Sequence, residues 1–166
     1  MSKKAKIDAM VFAAKFVQES NFIENINISF DAILNNWGFH TNQNIGHIGA
    51  LASADLSALT KSLIIETMIK NWQKLIIQEQ NSLTTDVEKI IPECEIGHYR
   101  GPGKMFVGNK LCVVPAQAVP DCMKQLLEEI NYFQRNQEKS EEETIKKIAD
   151  FHFDFLWIHP FVDGNG

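Results

Sequence analysis

The sequence predicts a mostly helical domain that carries one short β-hairpin. Three observations predict it. Apolar residues recur at three- and four-residue steps through most of the chain. The apolar-periodic runs begin at residues suited to helix starts. Only the stretch from Glu95 to Pro115 changes period, into short runs rich in strand formers around a Gly-Asn pair.

In chain order, Ile7, Met10, Val11, Ala14 and Val17 mark an amphipathic helix from about Lys3 into the low twenties. Gly38 to Ala50, with three Gly and several Asn and Thr, reads as a loop. A second helix is expected from Ser53 or Asp55, either of which can cap it, turning Leu56, Leu59, Leu63, Met68, Trp72, Leu75 and Ile76 inward. Lys104–Val107 and Lys110–Val114 then form the hairpin, because Gly108-Asn109 suits a tight turn. Pro120 suits the first turn of a helix carrying Met123, Leu126, Leu127, Ile130 and Phe133. Ser140 and Glu143 have the spacing of a capping box for a last helix, on which Ile145, Ile148, His152, Phe155 and Leu156 share a stripe.

Composition sets the function classes. The 166 residues are 45% hydrophobic and 22% charged, enough for one domain with a sizeable core. Three cysteines, with no Cys-x-x-Cys pair, read as reduced thiols of a cytoplasmic protein. A net charge of -5 without a Lys/Arg cluster argues against a nucleic-acid partner. Apolar runs such as Leu63-Ile64-Ile65 fall far short of the roughly 18 residues of a membrane span. The amphipathic N-terminal stretch is interrupted by Lys15 and Glu19 and is no signal peptide, so the sequon at Asn27 carries little weight.

The stretch Ile158-His159-Pro160-Phe161-Val162-Asp163-Gly164-Asn165-Gly166 carries the chemistry. Pro160 ends the helix at His159 and presents its imidazole at the mouth of a loop. Gly164, Asn165 and Gly166 tolerate positive φ, so their backbone N–H groups can converge on phosphate oxygens. Asp163 offers the hard oxygen ligands that Mg2+ prefers when it bridges phosphates. A Gly-Asn-Gly loop alone is usually a turn, and a lone Asp or His is usually structural. A base, a metal ligand and an anion cradle within eight residues together suggest phosphoryl or nucleotidyl transfer.

His-Pro-Phe-Val-Asp-Gly-Asn-Gly resembles the signature of Fic-domain proteins, His-x-Phe-x-(Asp/Glu)-Gly-Asn-Gly-Arg-x-x-Arg, and is too specific for chance. The resemblance implies a helical Fic-type bundle that mostly transfers AMP from ATP to a hydroxyl side chain of a target protein. It makes His159 the general base, Asp163 the Mg2+ ligand, and Gly164, Asn165 and Gly166 the phosphate nest, with Phe161 anchoring the loop. A histidine with an ordinary pKa of about 6.5 suits the base role, worth about 100- to 10,000-fold. His152, seven residues before His159, is expected to be packed and hydrogen-bonded. A dinuclear metal site at His152, Asp154 and His159 is the rival reading, but helical spacing turns Asp154 away from the stripe.

The segment Gly97–Gly108 is similar to the flap that precedes the motif in Fic proteins. There a strand edge docks the target segment by backbone pairing. Met105, Phe106 and Val107 would then clamp the modified residue; the plain alternative is a hairpin whose apolar side chains cover the core. At the other end, Glu24 falls on the apolar stripe of the first helix if that helix persists, where a carboxylate costs several kcal/mol unless paired. Fraying, or a side chain bent to solvent, would avoid that cost. Yet Ser20, Glu24 and Asn25 match the Fic inhibitory motif (Ser/Thr)-x-x-x-Glu-(Gly/Asn). The resemblance implies that Glu24 pairs with the second motif arginine and blocks the γ-phosphate, or in some members positions water to remove AMP.

The expected organisation is a single Fic-like domain over 1–166, with an inhibitory helix and loop in 1–50 and the Fic core in 51–166. The written chain stops at Gly166, before both motif arginines, so a C-terminally truncated core of weak catalytic power is expected. ATP and Mg2+ are the implied cofactors, a target protein on the hairpin the implied partner, and self-association is possible in kind. The competing readings are an inert helical module that holds a peptide on the hairpin, and an enzyme that mainly removes AMP.

Overall fold

The computed structural model describes residues 11–12, 14–19, 29–31, 33, 50, 53–54, 62–103, 106–107, 110–111, 114–136 and 140–165, with the backbone alone at 83, 106–107 and 110–111. Three long helices dominate them: α1 (Glu66–Leu83), α2 (Val119–Arg135) and α3 (Glu141–Ile158). Between α1 and α2, the two-residue strands β1 (Phe106–Val107) and β2 (Lys110–Leu111) pair antiparallel, Phe106 opposite Leu111 and Val107 opposite Lys110. The architecture is mostly helical, and none of the described helices is long and apolar enough to cross a membrane.

The helix predicted from Ser53 or Asp55 does not run unbroken into α1. Residues 53–54 are helical, but 62–65 are not, and α1 begins at Glu66 after an extended Ile65. The cause sits on α2. The Asn131 side-chain amide accepts from the Ile64 N–H at 2.8 Å and donates to the Ile64 carbonyl at 2.7 Å, pairing with the extended chain as a strand would. Leu63 is consequently exposed rather than inward-facing, as is the predicted inward Leu75. The side chains that α1 buries are Gln73 and Ile77, one turn apart.

A 3-10 turn at Ala116–Ala118 leads into α2, and Pro120 lies in its first turn, where a missing N–H costs nothing. Val119, Met123, Leu126 and Leu127 are buried, and Val119, Met123 and Leu126 join Ile158 in one core cluster with Ile130, Phe151 and Phe155 packed against it. Each such fully buried apolar side chain contributes about 1.5–3 kcal/mol.

The predicted capping box of α3 is present: the Ser140 hydroxyl accepts from the Glu143 N–H at 3.2 Å, and the Glu143 carboxylate accepts from the Ser140 N–H at 2.9 Å. The predicted inward stripe is rotated, however. Ile145 and Ile148 are exposed, as is His152, whereas Phe151 and Phe155 pack on the core and Ile158 is buried. Of the predicted stripe Phe155 does pack inward, and Phe151 and Ile158, four residues before it and three after, join it in place of Ile145, Ile148 and His152, adding a second aromatic ring to the core face. Phe133 of α2 meets Phe151 edge-on at 5.8 Å.

Of the first predicted helix, residues 11–12 and 14–19 are described and are helical, with Ala14 and Val17 buried against Ile33 and Phe30. Of the predicted Gly38–Ala50 loop only Ala50 is described, and it is helical and buried.

Candidate active site

The end of α3 and the residues after it form a tight loop held from two sides. His159 caps the helix in the left-handed conformation (φ 47°, ψ 64°), its N–H still bonded to the Phe155 carbonyl at 2.9 Å. Pro160 predicts an extended conformation for the preceding residue, and the helix does end there, but through a left-handed turn. Such a conformation is uncommon for a residue with a side chain and persists where the surroundings over-determine it.

Four residues do so: Pro160, Phe161, Asn165 and Arg100. Pro160 and Phe161 are buried, and the Phe161 ring packs 5.6 Å from Tyr99 and 6.5 Å from Phe155. Asn165, 2% exposed, folds its amide back across the loop: Oδ1 accepts from the Phe161 N–H at 2.9 Å, and Nδ2 donates to the Phe161 carbonyl at 3.1 Å. Arg100, 3% exposed, donates from its backbone N–H to the Pro160 carbonyl at 2.8 Å and from Nε to the His159 carbonyl at 2.7 Å.

The Asn165 bonds also define the state of the imidazole. Nδ2 lies 3.2 Å from His159 Nε2, and since an amide nitrogen can only donate, Nε2 must accept and keep its lone pair. The ring also bonds the Leu156 backbone, which fixes the proton on the other nitrogen. Burial, and secondarily the Arg100 charge, hold the His159 pKa below its ordinary value, against smaller upward effects of the Leu156 bond and Asp163. Every one of these contacts except the last two favours a neutral ring. A neutral, oriented imidazole is what a general base at neutral pH requires.

On the opposite side, α1 holds Asp163 of the loop. Gln80 Nε2 donates to Asp163 Oδ2 at 2.8 Å, and the Gly164 N–H donates to Asp163 Oδ1 at 2.8 Å. Gln73, 2% exposed, bridges two segments: Nε2 donates to the Asp163 carbonyl at 3.3 Å, and Oε1 accepts from the Gly97 N–H at 2.6 Å. Gly164 has φ +72° and presses on Ile77, where an added Cβ would lie 3.1 Å from Cδ1. Only glycine meets both demands. Gln73, Ile77 and Gln80 therefore form one face of α1 that seats the loop.

Each Asp163 oxygen accepts one hydrogen bond and retains a further lone pair. That suits Mg2+, which takes one or two carboxylates and fills its octahedron from phosphate and water. Among the described residues no cluster of three or more His, Cys, Asp or Glu could hold a metal alone. His152 and Asp154 are both exposed, so the packed His152 expected from the sequence is not found, and the pair offers no enclosed dinuclear site.

The structure thus brings His159, Asp163, Gly164 and Asn165 into one loop. Phe106 and Val107 lie on β1, whereas Met105, Gly166, Ser20, Glu24 and Asn25 lie outside the described residues. Sequence reasoning missed Gln73, Gln80 and Arg100. A glutamine four residues from Ile77 on the buried face of α1 was an available signal, since a polar side chain there needs partners. No local pattern marks Arg100 for burial.

Searches among curated proteins and among solved structures return no match to the chain. A family model described as Fic/DOC family matches residues 63–166, which take in α1, the strand pair, α2, α3 and the His159–Asn165 loop; the chain belongs to the Fic/DOC family.

Proposed function

We propose that the protein transfers AMP from ATP to a hydroxyl side chain of a target protein, with His159 as general base. Membership of the Fic/DOC family supports a transferase-type enzyme, and the observation that carries the finer reading is the imidazole held neutral, with its Nε2 lone pair facing Asn165. His159 Nε2 takes the proton of the target hydroxyl while that oxygen bonds to the α-phosphorus. The bond from the α-phosphorus to its bridging oxygen breaks, and pyrophosphate leaves with the electron pair. To accept the proton, Nε2 exchanges the Asn165 N–H for the target O–H. At 3.2 Å the exchanged bond is a neutral one, worth about 1 kcal/mol, so the exchange is inexpensive.

Mg2+, when bound with ATP, supplies charge neutralisation at the α- and β-phosphates. Asp163 would hold it, oriented by Gln80 and the Gly164 N–H. Gly164, Asn165 and Gly166 would line the phosphates; the Asn165 side chain faces the loop interior, so it would act there through its backbone. Met105, Phe106 and Val107 would dock the target segment beside the strand pair. Glu24, with Ser20 and Asn25, would restrain the reaction by competing for the γ-phosphate position.

The test is transfer from labelled ATP by the full-length protein. His159→Ala should abolish labelling while nucleotide binding persists, and equal labelling by variant and parent would remove His159 as the base. Glu24→Gly should raise automodification. Unchanged labelling in that variant would sink the inhibitory role.

A further inference from the structure

Arg100 is a buried cation that donates to four main-chain carbonyls. Its backbone N–H reaches the Pro160 carbonyl, Nε the His159 carbonyl, and Nη2 both the Ile158 carbonyl at 3.3 Å and the Val114 carbonyl. The first three acceptors lie at the C-terminal turn of α3, where carbonyls have no partner within the helix and carry the negative end of its dipole. The fourth belongs to the chain leaving β2. One planar guanidinium therefore spans two segments far apart in sequence: the chain leaving the strand pair at Val114, and the turn that aims His159.

Removing a guanidinium from water is costly unless all its geometry is used. A helix C-terminus could be capped by glycine with no buried charge at all. Here a charged residue does the capping, and it comes from the segment that leads into β1. The neighbouring contacts repeat the pattern. Gln73 binds Gly97 on one side and Asp163 on the other, and the Tyr99 ring packs on Phe161. Tyr99 and Arg100 of the 97–100 turn thus meet the 158–163 loop directly, and Gly97 reaches it through Gln73.

We propose that Arg100 is a positioning residue that couples the strand pair to the His159 turn, so that a target segment docked along the strands and the imidazole that deprotonates it are held in one register. The coupling deepens the AMP-transfer reading and rests on it for its purpose, though not for its physical content. Lysine cannot substitute: an ammonium is a point donor and cannot address the Val114, His159 and Ile158 carbonyls from one plane. A displacement of about 1 Å at the base costs about 100-fold in rate, which sets the scale of the loss expected when the tie is cut.

The experiment compares the full-length parent with Arg100→Lys and with Leu126→Ala, a core variant that weakens the packing of α2 on the cluster it shares with Ile158 but removes none of the Arg100 hydrogen-bond partners. Hydrogen–deuterium exchange is followed in peptides covering 106–114 and 158–165. In Arg100→Lys, exchange should rise in both peptides together while α2 stays protected; in Leu126→Ala, the rise should centre on α2. A rise in only one of the two peptides, or in neither, overturns the coupling whatever the chemistry of the protein.

Transfer is then measured with the same three proteins and with Arg100→Ala. Arg100→Lys should lower kcat about 10- to 100-fold with nucleotide affinity unchanged, and millimolar guanidinium, but not methylammonium, should restore part of the activity of Arg100→Ala. If Leu126→Ala, at a matched loss of Tm, loses kcat to the same extent, Arg100 is merely structural and the proposal falls. A parent that labels nothing would defeat the AMP-transfer reading, while the exchange measurement would still decide the coupling.

Discussion

The two ends of α3 are built in opposite ways. Its start is a local device: Ser140 and Glu143 satisfy each other's backbone N–H groups across three residues, at an exposed position. Its end is assembled from afar. The Ile158 and His159 carbonyls are bonded by Arg100, 58 and 59 positions earlier in the chain, and the turn beyond is closed by Asn165. The start needs nothing from the rest of the fold to form. The end exists only once the 97–100 turn, α1 and the loop have come together. The difference teaches where precision is concentrated, since the end that depends on distant partners is the one that aims the imidazole.

Breaking the distant end should therefore have the largest effect. Asn165→Ala removes both bonds to Phe161 and the donor that faces His159 Nε2. Transfer should fall about 100-fold or more, as expected when a base is misplaced by about 1 Å. The residual activity should also change its pH dependence. In the parent, a proton on Nε2 would face the Asn165 N–H groups, donor against donor, in addition to the burial and Arg100 charge that already hold the His159 pKa down. Without the amide the imidazolium becomes easier to form, so the His159 pKa rises and the acid limb of log kcat against pH moves to higher pH. A limb that stays in place would show that Asn165 does not act on the ring.

The α1 side of the loop tests the same contrast with a smaller perturbation. Gln80 touches Asp163 Oδ2 through a side chain on a different element, 83 positions away. Partners that orient a metal-binding carboxylate are typically worth about 10- to 100-fold in metal affinity. Gln80→Leu should therefore weaken divalent-cation binding by about that factor, with the fold retained. Mn2+ titration in the presence of a non-hydrolysable ATP analogue reads the change. Unaltered Mn2+ affinity would mean that the Gly164 N–H alone positions the carboxylate.

The same contrast explains what could be read in advance. Local rules placed the capping box at Ser140, the start of α2 at Pro120 and its buried Met123, Leu126 and Leu127, because each depends on neighbours within two turns. The loop residues His159, Asp163, Gly164 and Asn165 were legible as a motif, since they are contiguous. What stayed hidden was decided by distant partners. Asn131 unwinds the chain at Ile64 and so displaces the start of α1, an effect that no window around residue 64 contains. On α3 the inward place of Phe155 was legible but that of its neighbours was not, because Phe151 and Ile158 compete with Ile148 and His152 on overlapping stripes, and the presence of Val119, Met123 and Leu126 on α2 decides between them. Gln73, Gln80 and Arg100 are polar residues whose roles follow from what they meet, and their neighbours in sequence say nothing of it.

The smallest effect should come from the local end. Ser140→Ala deletes the hydroxyl that accepts from the Glu143 N–H, and the reciprocal bond from Glu143 to the Ser140 backbone loses its partner geometry. Loss of an N-cap of this kind costs about 0.5–2 kcal/mol. For a chain of this size that corresponds to a drop in Tm of about 2–4 °C per kcal/mol, measurable by calorimetry. The Ile158–His159 turn lies five helical turns away and keeps its bonds to Arg100, so transfer per folded molecule should be unchanged. Should Ser140→Ala instead depress kcat while the protein stays folded, the two ends of α3 would be coupled along the helix, and the placement of the imidazole would depend on the helix as a rigid rod rather than on the residues that meet its C-terminus.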